Sequence, residues 1–313
     1  MLTPTFRFAP SPNGPLHLGH ARSAFLCHDF ARAAGGRFLL RIEDIDVTRC
    51  RPEFEASIRS DLDRLALHPD GAIRRQSEHF DVFQTALDRL KANGLLYPAF
   101  LTRAQVKARV AAAENTGQPW PRDPDGAPLY PAEERHMSEP KARGLIAGGI
   151  PFAWRLDMDR ALGAVAERLR GAPLTWAESG PERSDDLAGD VATVAARAAG
   201  RISTRSIAAD PAEWGDVVLA RKEIPTSYHL SVVVDDALQE VTDVVRGRDL
   251  YAATSVHRLL QVLLGLPEPR YHHHALLNDA EGRKLSKSEG DSGLTALLDR
   301  GASPEEIRTM CGL

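Results

Sequence analysis

The chain has 313 residues, 43% hydrophobic and 26% charged, which is enough to bury one large core or two ordinary ones. No apolar run approaches a membrane span, and the start "MLTPTFRFAPSPNG" lacks the charged-then-apolar order of a secretion signal, so a cytoplasmic protein with no membrane attachment is expected. A net charge of −4 argues against indiscriminate coating of nucleic acid, and the three cysteines (Cys27, Cys50, Cys311) give neither a disulfide framework nor a metal-ligand spacing.

In chain order, "TFRFA" (Thr5 to Ala9) alternates Phe6 and Phe8 and predicts a strand. Pro10, Pro12, Gly14 and Pro15 then break regular structure. A helical pattern runs from about Leu16 to Ala34 and stops at Gly35-Gly36. "RFLLRI" (Arg37 to Ile42) is an apolar run of strand length. Helical spacing returns after Pro52 with Phe54, Ile58, Leu62 and Leu65, and again with Phe83, Leu87 and Leu90. From Thr102 to Glu213 the apolar pattern weakens, and turn residues and alanines take over. That stretch predicts an inserted smaller domain with mobile loops. Order returns at "WGDVVLARKE". "YHLSVVVDD" (Tyr228 to Asp236) and "EVTDVVRGRDL" (Glu240 to Leu250) predict two strands joined by a short polar turn. A helix with Val256, Leu259, Leu260 and Leu263 on one face then ends at Gly265.

Strands alternating with helices on both sides of an insertion predict an α/β protein. The expected form is a doubly wound, Rossmann-type parallel sheet with an inserted smaller domain and a short helical C-terminal tail. The expected bounds are 1–98 for the first half, 99–213 for the insertion, 214–291 for the second half and 292–313 for the tail.

Two motifs carry the chemistry. In "APSPNGPLHLGHA" (Ala9 to Ala21), His17 and His20 stand three apart, so on a first helical turn they project to nearby positions. Gly19 between them lets a ligand approach the backbone. A helix N-terminus offers free N–H groups and the positive end of the dipole, which suits an anion. In "GRKLSKSEG", Lys284 and Lys287 flank Leu285-Ser286 inside a glycine-bounded loop. Lysine is a compact, mobile cationic donor, suited to phosphate charge that shifts during a reaction.

Together, "HLGH" on the first strand–helix turn and "KLSKS" after the last strands resemble the paired signature of class I aminoacyl-tRNA synthetases. "RFAPSPNGPLHLGHARSA", "RIEDID" and "YHLSVVVDD…VTDVVRGRDL" narrow the likeness to the glutamyl/glutaminyl branch. It is close over about Thr5 to Arg51 and Trp214 to Ser288, and weak across the middle. Only 25 residues follow Ser288, too few for an anticodon-binding domain. That resembles the stand-alone glutamyl-Q tRNA(Asp) synthetase family.

The resemblance implies a ligase with two steps. L-Glutamate is activated by ATP without tRNA, and is then transferred to queuosine in the anticodon of tRNA(Asp). It implies phosphate contacts and catalytic roles for His17, His20, Lys284 and Lys287. ATP would lie against Ala9, Pro10, His17, Gly19, His20 and Lys287, accompanied by Mg2+. Glutamate would be bound by Arg7, Ser11, Glu43, Tyr228 and Arg246. Arginine suits its carboxylates and a carboxylate suits its ammonium. The insertion would contact the tRNA.

Many members of the branch hold zinc with cysteines and a tyrosine. Ala99, Leu101 and Glu134 stand at the cysteine positions here, and Tyr130 alone survives. A lone phenol does not hold zinc, so no metal site is expected, with apolar packing around Phe100 and Leu101 instead. The run His272 to His274 reads as strand-end structure, because adjacent side chains of an extended chain alternate faces. Apart from Glu43, the carboxylates of "RIEDID" and "DDALQE" read as turn and strand-end residues. A monomer is expected, since no coiled coil stands out. Three alternatives stay open: a truncated glutamyl-tRNA synthetase charging the tRNA 3′ end, glutamate transfer to another carrier, and a non-catalytic nucleotide- or tRNA-binding module.

Overall fold

The computed structural model describes residues 3–183, 185–222, 224–277 and 293–313. The first half runs β1 (Thr5–Phe8), α1 (Leu18–Ala33), β2 (Arg37–Ile42), α2 (Pro52–Arg64), β3 (Arg74–Arg75) and α3 (Phe80–Ala92). The middle runs β4 (Leu96–Ala99), α4 (Arg103–Asn115), α5 (Glu139–Ala147), β5 (Ala153–Leu156), α6 (Met158–Arg168), β6 (Thr175–Glu178), α7 (Leu187–Ala198) and β7 (Arg205–Ala208). The second half runs β8 (Val218–Arg221), α8 (Tyr228–Leu238), β9 (Asp243–Gly247), α9 (Thr254–Leu264), β10 (Arg270–His274), α10 (Leu294–Asp299) and α11 (Pro304–Met310).

Seven strands form one sheet in the order β3-β2-β1-β9-β10-β6-β7. Every pairing in it is parallel except β6 with β7. Two large apolar clusters form the core. One joins Phe6, Phe8 and Phe30 to the tail residues Leu294, Leu298 and Ile307. The other gathers Leu87, Val165, Leu230 and Leu259 from α3, α6, α8 and α9. A fully buried phenylalanine contributes roughly 1.5–3 kcal/mol, so the first cluster fixes the seven-stranded sheet to α1 and the tail, while the second ties its helices to Leu156 of β5 and Leu219 of β8. This is the doubly wound, Rossmann-type architecture expected. Among the described residues, no helix is long and apolar enough to cross a membrane.

Strand order reverses between β1 and β9, where the two halves of the chain meet. In open α/β sheets, ligands bind beyond the carboxyl ends of the strands at such a switch point. Ser11 follows β1, Glu43 follows β2, and Arg246 is near the end of β9.

Two expectations need correction. Tyr228 to Asp236 is not a strand; it lies in helix α8. Its run Leu230 to Asp236 is buried on every side, so no polar face interrupts it. A short run of that kind looks the same whether helix or strand. The second correction concerns the expected insertion, 99–213. β6 and β7 belong to the large sheet, where β6 pairs with β10. The separate unit is the antiparallel sheet β4-β5-β8 with the helices between β4 and β5.

Candidate active site

The start of α1 is built by its two histidines. His17 is the N-cap, with extended backbone angles (φ −129°, ψ 174°). Its Nδ1 accepts the Gly19 N–H at 3.1 Å, while Nδ1 of His20 accepts the His17 N–H at 3.2 Å. The ring centroids are 3.8 Å apart. A neutral imidazole has one donor and one acceptor nitrogen. Both Nδ1 atoms accept, so both rings carry their proton on Nε2. The first turn of α1 contains no acidic residue, and the positive end of its dipole suits an anion. A Cβ on Gly19 would fall 2.9 Å from Cε1 of His17, so only glycine admits this ring position.

Lys284 and Lys287 lie outside the described residues. The flanks of their segment are anchored beside α1. The Leu294 N–H donates to the Leu16 carbonyl at 2.9 Å, and Gly293 bridges to His17. On the other flank, the Ala275 N–H donates to Asp190 at 3.1 Å. Asp190 is itself fully buried and paired with Arg22 of α1 and His272 of β10.

A second group forms beyond β1 and β2. Arg7 donates from Nε to Asp236 at 2.9 Å. Arg41 donates from Nη1 to the same carboxylate at 2.7 Å and from Nη2 to Glu43 at 3.0 Å. Both guanidiniums are almost wholly buried. Burial opposes ionisation of Asp236, but Arg7 and Arg41 outweigh it and hold its carboxyl below the usual range. Burial pushes the Glu43 carboxyl up, against the pull of Arg41 and Arg7. Asp235, beside Asp236 on α8, binds Arg74 at 2.8 Å and Gln76 at 3.0 Å. Asp235 and Asp236 of "DDALQE" are therefore internal anchors of α8 rather than turn residues, whereas Glu240 is the exposed turn residue expected.

Tyr228 opens α8 and receives Nη1 of Arg246 at 3.3 Å. The rest of Arg246 is fully engaged. Nε donates to His273 at 3.1 Å, Nη1 also meets Nδ1 of His257 at 3.1 Å, and Nη2 reaches the Leu250 carbonyl at 3.1 Å and Thr254 at 2.7 Å. All five N–H groups of the guanidinium are occupied. The Tyr228 contact is the longest of the five. Burial raises the Tyr228 phenol, and Arg246, Glu43, Arg7 and Asp236 all act on it electrostatically. These groups share one electrostatic environment.

A cleft of about 1080 Å³ opens between the two sheets. Ser11, Glu43, Tyr228 and His229 line it from the large-sheet side, and Arg103 and Lys107 from α4. Arg7 and Arg246 stand behind this wall, outside the lining. Ser11 lies 3.7 Å from the Cys50 thiol. Ala9 and Pro10 precede it, and the Pro10 carbonyl accepts the Glu43 N–H at 3.0 Å. His17, Gly19 and His20 are at the α1 terminus, also outside the cleft lining.

Sequence reasoning does not single out His257 and Glu178, and it reads Asp236 and His273 only as turn or strand-end residues; all four surround these residues. No spacing marks them, because their partners come from distant strands. The three histidines of β10 alternate sides. His272 meets Asp190, His273 meets Glu178 and Arg246, and His274 meets Ser23 at 2.7 Å.

The position where the branch holds zinc has no thiolate. Glu134 accepts the Phe100 N–H at 2.8 Å and the Tyr130 hydroxyl, whose oxygen accepts the Leu101 N–H at 3.1 Å. The site does not fit zinc. Leu101 packs against the apolar cluster of Tyr97, Ala99 and Tyr130, and the Phe100 ring meets that of Phe152 at 5.7 Å, with the Glu134–Tyr130 hydrogen bonds as a polar addition to the packing expected.

A family model described as tRNA synthetases class I (E and Q), catalytic domain, matches residues 5–161 and 198–312. The glutamyl-Q tRNA(Asp) synthetase of Rhodobacter capsulatus is 44% identical over 98% of this chain and 99% of its own length. Glutamate–tRNA ligase 1 of Ruegeria pomeroyi is 34% identical over 98% of this chain, which spans 59% of that relative. The crystal structure of a glutamate tRNA ligase from Elizabethkingia meningosepticum in complex with its amino acid superposes with a TM-score of 0.69 at 26% identity. That match covers 93% of this chain and 53% of the other.

Proposed function

Because the chain belongs to the class I (E and Q) tRNA synthetase catalytic family, we propose that it activates L-glutamate with ATP and transfers it to queuosine in the anticodon of tRNA(Asp). The observation that carries the choice of acceptor is the 44% identity to a glutamyl-Q tRNA(Asp) synthetase, against 34% to a glutamate–tRNA ligase. Support for glutamate comes from the cleft wall, where a carboxylate (Glu43), a phenol (Tyr228) and a hydroxyl (Ser11) stand before two buried arginines.

In the first step, an oxygen of the glutamate α-carboxylate attacks the α-phosphorus of ATP, which enters with Mg2+. The bond to the β-phosphate oxygen breaks, giving glutamyl-adenylate and pyrophosphate. The nucleophile is already anionic and needs no general base, so positioning and charge stabilisation do the work. His17 and His20 donate from Nε2 to phosphate oxygens, and Lys284 and Lys287 stabilise the departing pyrophosphate. In the second step, a hydroxyl of the queuosine cyclopentenediol attacks the activated carbonyl. An ester forms, and AMP and a proton leave.

Pyrophosphate exchange tests the first step. Glutamate-dependent exchange in the absence of tRNA is expected. No exchange with glutamate would contradict it and favour a non-catalytic module.

A further inference from the structure

We propose that His229 is a substrate-contacting donor, set in one tautomer by a buried chain of hydrogen bonds running from Glu178 through His273, Arg246 and His257. This rests on the reading that the cleft takes glutamate.

The direction of the chain is fixed at its centre. Arginine has donors and no acceptor. His273 therefore accepts at Nε2 from Arg246 and carries its proton on Nδ1, which faces Glu178 at 2.6 Å. On the other side, His257 accepts at Nδ1 from Arg246, so its proton is on Nε2. That nitrogen is 3.2 Å from Nδ1 of His229. His229 must then accept at Nδ1 and carry its proton on Nε2. No choice of tautomer remains free once Arg246 is charged, and a guanidinium is always charged in proteins.

The chain ends at the cleft. His229 lines it beside Ser227 and Tyr228, and its Nε2 has no hydrogen-bond partner among the described residues. Its ring is held by Trp214, Tyr228 and His257, with centroids 5.3–5.7 Å away. Tyr228 accepts from Arg246, so its own O–H turns away from the guanidinium. The charge of Arg246 thus reaches the cleft as two neighbouring neutral donors. Two donors backed by a buried cation suit an acceptor-only anion, which is a carboxylate. They do not suit an ammonium. His229 contacts the substrate, while Glu178, His273 and His257 act as positioning residues.

The test has two arms on the full-length protein. The first reads the 15N-labelled imidazoles by NMR, with His229 assigned by its loss in His229→Gln. Protonated Nε2 and unprotonated Nδ1 are expected at neutral pH. A proton on Nδ1, or a doubly protonated ring, overturns the chain. The second arm measures pyrophosphate exchange. His229→Leu should raise the glutamate KM about tenfold with the ATP KM unchanged, and His229→Gln, whose amide N–H reaches the same region, should recover most of the loss. Equal glutamate KM values in all three proteins overturn the contact. Absence of glutamate-dependent exchange in the wild type would overturn the functional reading and the carboxylate assignment with it, while the NMR arm still decides the tautomer.

Discussion

Gly19 and His17 fit each other so closely that one methyl group separates a working ring position from a clash. A Cβ at Gly19 would stand 2.9 Å from Cε1 and 3.1 Å from Nδ1 of His17. Gly19→Ala therefore tilts the imidazole and breaks its bond to the Gly19 N–H. Misplacement by about 1 Å costs on the order of 100-fold in rate. Pyrophosphate exchange should fall by that order through kcat, with the glutamate KM little changed. Unaltered exchange in a folded Gly19→Ala protein would remove His17 from the reacting centre.

Asp236 is predicted to hold the carboxylate side of the site together. Asp236→Asn leaves Arg7 and Arg41 buried without their shared counter-charge. Breaking a buried pair by removing one partner costs about 3–5 kcal/mol. Urea denaturation should show a loss of that order, and the glutamate KM should rise.

Acid should destabilise the fold through its buried histidines. Burial, aided by Arg246, lowers His229 to about 4 and His257 well below the ordinary value. Burial lowers His273 and His274 to about 4 as well. A depressed folded value means that the unfolded chain binds more protons between the two. The contribution is fully present above the unfolded value of about 6.5 and declines as pH falls toward 4. Denaturant midpoints measured from pH 7 to pH 4.5 should fall, with net proton uptake on unfolding. A flat profile would mean that these rings are charged in the folded state.

Glu134→Ala should destabilise the small sheet by about 1–3 kcal/mol, because the Phe100 N–H and the Tyr130 hydroxyl lose their acceptor. Thermal melting of the variant measures it. Metal analysis of chelator-free wild-type protein should find no stoichiometric zinc.

Much of this arrangement was legible in the sequence because some elements declare themselves locally. β1 alternates Phe6 and Phe8 ahead of the proline-rich loop, and β2 is an apolar run that follows Gly35-Gly36. Gly265, in a left-handed conformation (φ 62°), stops α9 where the pattern ends. α8 was hidden because burial on all sides erases the period that separates helix from strand. The four-residue strands β6 and β7 were hidden for another reason: they join the large sheet through pairings with distant partners, and no local pattern encodes that return. The same holds within the site. Arg7, Glu43, Tyr228 and Arg246 could be named from their motifs, and the structure gathers them at the switch point. The partners that orient them could not. Asp236 looks like any acidic residue until Arg7 and Arg41 converge on it, and His257 looks like a helix-face histidine until Arg246 reaches it.

The most direct measurement follows labelled glutamate onto tRNA. Enzyme, ATP and labelled glutamate are incubated with tRNA(Asp) that contains queuosine and with the same tRNA lacking it. The label is then traced after removal of the 3′-terminal nucleotides. Label should appear only on the queuosine-containing tRNA and should survive 3′ trimming. Label on the queuosine-free tRNA, or label lost with the 3′ end, would contradict the account and identify the chain as a 3′-charging enzyme.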